Sequence, residues 1–168
     1  MATKTLILMR HAKSSWDSTS SLADHDRPLN LRGTQSARSL GSWLREKKLT
    51  PSQALVSSSV RTQETFAGLN LDIAPTLMAE LYHASSDVLL ETIESAKGDT
   101  IILIAHNPGI GELAFRLARM MRQHPNHSRF EDYPTGATLV VQWDTDSWEN
   151  LDWSQGEMID FIVPRELV

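Results

Sequence analysis

The chain has 168 residues, 40% hydrophobic and 22% charged, with a formal net charge of −5 and no cysteine. That length suits one compact domain over residues 1–168, and the composition excludes an intrinsically disordered chain and a membrane-spanning one. The absent cysteines exclude disulfides, thiolate metal sites and cysteine nucleophiles, and the negative charge argues against broad nucleic-acid binding, so a polyanion would need a local basic pocket.

The opening residues read directly as a strand and not as a signal peptide, so a cytoplasmic protein without membrane attachment is expected. Leu6 to Met9 is a short apolar run of the kind buried on both faces of a parallel sheet. The Ser, Asp and Pro-rich stretch from Ser14 to Asn30 has no periodicity and reads as a surface loop. Ala37, Leu40, Gly41 and Leu44 then fall at helical spacing, predicting a helix over Leu31 to Lys48. Ala54 to Val56 reads as a second buried strand, with a short helix after Arg61. Ser86 or Asp87 caps a helix that stops before Gly98, and Ile101 to Ala105 is a third buried strand. Pro108 opens the clearest helix, with Ile110, Leu113, Ala114, Leu117, Ala118 and Met121 along one face. Ala137 to Trp143 and Met158 to Val163 predict an antiparallel strand pair at the C-terminal edge. The alternation gives an α/β fold, a mostly parallel central sheet with helices on both faces.

In such a sheet, ligands gather where the parallel strands end. Arg10-His11 follows the first strand, Ser57 to Arg61 the second and His106-Asn107 the third, so two arginines and two histidines converge on one edge. Taken singly, each is an ordinary surface or core residue; together they form a cationic cluster that needs an anion. Arginine matches phosphoryl oxygens bidentately, and a helix starting near Arg61 adds backbone donors. An imidazole with one nitrogen free and the other held is a nucleophile at neutral pH, which His11 can use on phosphorus.

Leu8-Met9-Arg10-His11-Ala12, Ser57 to Thr65 and Ile104-Ala105-His106-Asn107 resemble the histidine phosphatase superfamily, which has a phosphoglycerate mutase-like fold. Asp26 to Gly33 and Glu80-Leu81-Tyr82 are similar to its phosphohistidine phosphatase SixA branch, so the resemblance spans roughly residues 5 to 115. It implies that His11 becomes phosphorylated while Arg10, Arg61 and His106 bind the phosphoryl group. Ala12 stands where the family usually has glycine, which implies a backbone that tolerates a Cβ there. Asp17 occupies a position where the mutase branch commonly has asparagine, and its carboxylate would repel a phosphorylated sugar acid. Members acting on alcohol esters need an acid for the leaving oxygen; Glu80 is the candidate by position, and it reads equally well as a solvated residue. A phosphohistidine substrate needs less help, since imidazole is a far better leaving group than an alkoxide.

The expected activity is therefore a phosphatase working through phospho-His11 on phosphohistidine in a protein, such as a histidine phosphotransfer domain, with no cofactor and no metal ion. The alternatives are a small-molecule phosphomonoesterase and a non-catalytic phosphate-binding module. Lys13, Arg27, Asn30, Tyr82 and Asn107 are expected to line the approach to the pocket. His25 and His83 read as solvent-exposed loop residues. The spacing of His124 and His127 invites a metal-site reading for which no third ligand is evident, and Trp143, Trp148 and Trp153 read as packing residues.

Overall fold

The computed structural model of the chain describes residues 2–16, 22–121, 130 and 132–167. Ten principal elements follow in chain order: β1 (Thr3–Arg10), α1 (Leu31–Glu46), β2 (Gln53–Ser57), α2 (Val60–Leu69), β3 (Pro75–Met78), α3 (Ser86–Glu94), β4 (Thr100–Ala105), α4 (Gly109–Met120), β5 (Thr138–Asp144) and β6 (Glu157–Ile162). The six strands form one sheet in the order β3-β2-β4-β1-β5-β6. β1 pairs in parallel with β4, as does β2 with both β4 and β3; β5 runs antiparallel to β1 and to β6.

Strand alternation divides the core into two. Leu6 and Leu8 of β1 join Leu103 of β4 and the apolar stripe of α4 on one face, while Ile7 and Met9 join Leu40 and Leu44 of α1 and Phe66 of α2 on the other. The central strands are continuous apolar runs because both their faces are covered. Asn30 caps α1 through a bond from Gly33 N to its Oδ1 (2.8 Å), Ser59 caps α2 from Thr62 N and Ser85 caps α3 from Val88 N. Ser85 thus takes the role expected of Ser86 or Asp87, one residue earlier.

β3 has no counterpart in the sequence reading. It is a four-residue edge strand that starts on Pro75 and is mostly exposed, so it carries no hydrophobic pattern. The expected C-terminal pair is present, but only β6 is an edge; β5 is enclosed between β1 and β6. Trp143 meets Trp148 and Trp153 edge to face, at 5.8 and 5.5 Å between centroids. No helix among the described residues is long and apolar enough to cross a membrane.

Candidate active site

The register of the sheet sets the floor of the site. Arg10 pairs with Ala105 across β1 and β4, and Val56 pairs with Ile104 across β2 and β4, so the residues just beyond these strand ends emerge side by side. The loop after β1 is fixed by His11 N to Ala105 O (3.1 Å), Gly136 N to His11 O (2.9 Å) and Ala12 N to Thr65 Oγ1 (2.9 Å). Ala12 is fully buried and is not among the non-glycine residues with positive φ, so its Cβ sits in an ordinary backbone conformation.

The rings of His11 and His106 lie 5.3 Å apart. His11 is 6% exposed, and its Nδ1 is 2.7 Å from Ala12 O. A carbonyl only accepts, so Nδ1 carries the hydrogen and Nε2 keeps a lone pair. Burial pulls this imidazole down to about 4, aided by repulsion from Arg10, Arg61 and Arg27 and opposed by the Ala12 carbonyl. His106, 3% exposed, places Nε2 at 2.8 Å from Ser57 Oγ. Burial pulls it down to about 3, with His11, Arg61 and His83 adding repulsion. Both histidines are neutral near pH 7.

The two arginines share one arrangement. Arg10 Nη1 donates to Tyr133 O (3.2 Å); Arg61, 4% exposed, donates from Nη1 to Asp24 O (2.7 Å) and from Nη2 to Asp24 Oδ2 (3.0 Å). Each is thus tethered through its tip, while Arg10 Nε, Arg61 Nε and His106 Nδ1 are buried without a protein partner. Such buried polar groups are costly, and an oxyanion among them would satisfy them together. Burial, then repulsion from Arg61, lowers the pKa of Arg10.

Tyr133 holds this side of the site. Its hydroxyl donates to Leu8 O (2.6 Å) and accepts from Leu139 N (3.2 Å), while its carbonyl takes Asn107 Nδ2 (3.2 Å) as well as Arg10. Complete burial pushes its phenol far up.

The rim contains a residue that the sequence reading missed. Asp24, on a short 3-10 turn (Asp24–Asp26), accepts from Arg61, from Arg27 Nη2 (3.0 Å) and, in a very short bond, from the Tyr82 hydroxyl. His83 Nε2 lies 3.7 Å from the same carboxylate. The Tyr82 hydroxyl, with Arg27 and Arg61, holds this carboxyl well below the usual carboxylate range, against a burial effect of opposite sign. Asp24 stands in an aperiodic loop; its only local signal is Arg27 three residues on.

Arg27 and Tyr82, expected at the approach, are at the rim. Arg27 also donates to Ser14 Oγ (2.8 Å) and stacks over the Trp16 ring at 3.7 Å. His25 and His83 are partly exposed, as expected of loop residues, yet they belong to the rim as well: His25 packs edge to face on Tyr82 at 4.8 Å, and His83 lies 6.1 Å from His106. The other three residues expected at the approach have partners or neighbours of their own. Asn30 spends its side chain capping α1, and Asn107 spends its amide on Gly111 N, Asp132 O and Tyr133 O. Lys13 lines a separate cleft of about 450 Å³ with Arg32 and Arg165. Glu80 is exposed and makes no hydrogen bond or ion pair among the described residues. No set of three or more His, Asp or Glu positioned to hold a metal ion occurs among the described residues; His124, His127 and Asp17 lie outside them.

Comparison with known proteins gives the family and the fold. The sequence profile of the histidine phosphatase superfamily (branch 1) matches residues 6–83. An uncharacterized Mycobacterium tuberculosis protein, Rv1276c, is 32% identical over 94% of this chain and 100% of its own length. The chain belongs to the histidine phosphatase superfamily. A Nakamurella multipartitia structure assigned to phosphohistidine phosphatase SixA superposes with a TM-score of 0.85 and 25% identity, covering 98% of each chain. A structure of the protein histidine phosphatase SixA complexed with tungstate superposes with a TM-score of 0.74 and 21% identity, covering 98% of this chain and 99% of that one. Within the superfamily the protein falls in the SixA branch.

Proposed function

We propose that the protein is a phosphatase that acts on phosphohistidine in a protein through a covalent phosphohistidine on His11. The observation that carries this reading is the buried His11 ring with Nδ1–H committed to Ala12 O and a free Nε2, beside unpartnered N–H groups of Arg10 and Arg61 and the unpartnered Nδ1 of His106. In the first step the Nε2 lone pair forms a bond to phosphorus while the substrate P–N bond breaks. Protonation of the far nitrogen of the leaving ring lets it depart as neutral imidazole. In the second, water bonds to phosphorus, the P–Nε2 bond breaks and inorganic phosphate leaves. Arg10, Arg61 and His106 stabilise the equatorial oxygens, which is electrostatic work of the kind that dominates phosphoryl transfer. The tungstate bound by a SixA protein of the same fold, an oxyanion resembling phosphate, supports this reading.

The test is rapid quenching after brief exposure to a ³²P-labelled phosphohistidine domain. Wild type should carry acid-labile, alkali-stable label and His11→Ala none; equal label on both overturns the assignment. A parallel panel of sugar phosphates tests the substrate, and faster turnover of these than of the phosphoprotein overturns the protein specificity.

A further inference from the structure

We propose that His83 is a further catalytic residue, the proton donor to the leaving group, and that through it the site also hydrolyses phosphate esters of alcohols. The proposal rests on the phospho-His11 reading above. His83 follows the 3-10 turn Ala79–Leu81 at the end of β3 and has φ 59, a left-handed conformation that is costly for a residue with a Cβ. The surroundings enforce it. Ala84 N bonds Leu81 O (3.3 Å), and the Ala84 carbonyl packs so closely on Gly109, the first residue of α4, that a Cβ at 109 would collide with it. The turn is therefore seated on the helix that follows His106.

Its neighbours are those of a working acid. The ring is 4.0 Å from Tyr82 and 6.1 Å from His106, and Nε2 faces Asp24 Oδ2, behind which stand Arg61 and Arg27. Asp24, held well below the usual carboxylate range, stays ionised through the neutral range and presents its negative charge to the His83 ring at 3.7 Å. Position agrees with this role. His11 lies at the floor and the His83 side chain, 62% exposed, at the mouth. A leaving group displaced by the buried His11 departs on the open side of the site, and His83 stands on that exposed side, 6.1 Å from His106. Glu80 lies outside this network.

The steps balance. As His11 Nε2 bonds to phosphorus, the ester P–O bond breaks, its electron pair stays on oxygen, and the His83 imidazolium gives that oxygen a proton, releasing the alcohol. Neutral His83 then takes a proton from the attacking water as the P–Nε2 bond breaks. Phosphate leaves, and both histidines return to their starting forms.

The experiment compares the full-length wild type with His83→Gly, which suits a left-handed backbone. The substrates are an aryl phosphate, whose phenolate leaves unaided, and glycerol phosphate, whose alkoxide does not. Expected is a fall in kcat/KM of about 10²-fold or more on glycerol phosphate and only a few-fold on the aryl ester, with added imidazole restoring the former. Equal losses on both substrates, or no loss on either, overturn the proposal. So does a wild type that hydrolyses only the aryl ester. Missing label on His11 in the wild type is a separate result that overturns the underlying reading, and this proposal with it.

Discussion

The nitrogen of His11 proposed to react is left free by a backbone oxygen one residue away, and burial of the ring keeps it unprotonated. Because burial brings the ring down to about 4, the form with a free lone pair predominates at every pH above that value. The acid limb of kcat/KM, which reports the free enzyme, should fall near pH 4 and not near 6.5, once the substrate's own ionisation at about pH 6 is corrected for. Rapid-mix measurements with one substrate across pH 3.5 to 8 check this; a limb near 6.5 would mean a hydrated His11. The four residues at the floor were legible in the sequence because each ends a run of buried strand, directly follows one, or lies in the first turn of the helix after it. Asp24 and His83 were not, because loops have no periodicity and their partners lie far along the chain.

Among the elements, α1 shows how closely a helix can be tied to the chemistry. Its first turn rests on the backbone of Lys13, two residues after His11, and a Cβ on Gly33 would collide with the Lys13 carbonyl. Asn30 N also bonds that carbonyl at 3.0 Å. Gly33→Ala should lower stability by about 1–3 kcal/mol, read as a lower urea midpoint at unchanged m, and should lower kcat because the catalytic loop must shift with the helix. Helices and central strands were legible within a few residues, since each carries an apolar face. β3 was not, because a short edge strand exposed at three of its four residues has only Met78 to pack on the core and leaves no periodic side-chain pattern.

For the whole molecule, the buried neutral histidines carry a linked cost in acid. Their folded pKa values, about 4 for His11 and about 3 for His106, lie below the value of about 6.5 of an unfolded histidine. Between 6.5 and those values the unfolded chain binds protons that the folded one refuses. Stability contributed by these groups is thus complete above pH 6.5 and declines as pH falls towards 4, by up to about 1.4 kcal/mol per pH unit for each group. Urea midpoints at pH 7, 5.5 and 4.5 should show this decline, and His106→Asn should flatten it; an unchanged slope in that variant would place the cost elsewhere.

Tyr133 gives the C-terminal third of the chain a stake in the proposed reaction, whose acting groups all come earlier. Its carbonyl steadies the first arginine and the asparagine after the third parallel strand, while its phenol clasps two neighbouring strands. A fragment cut from the front of this chain would keep every atom proposed to react and lose the brace on the arginine beside them.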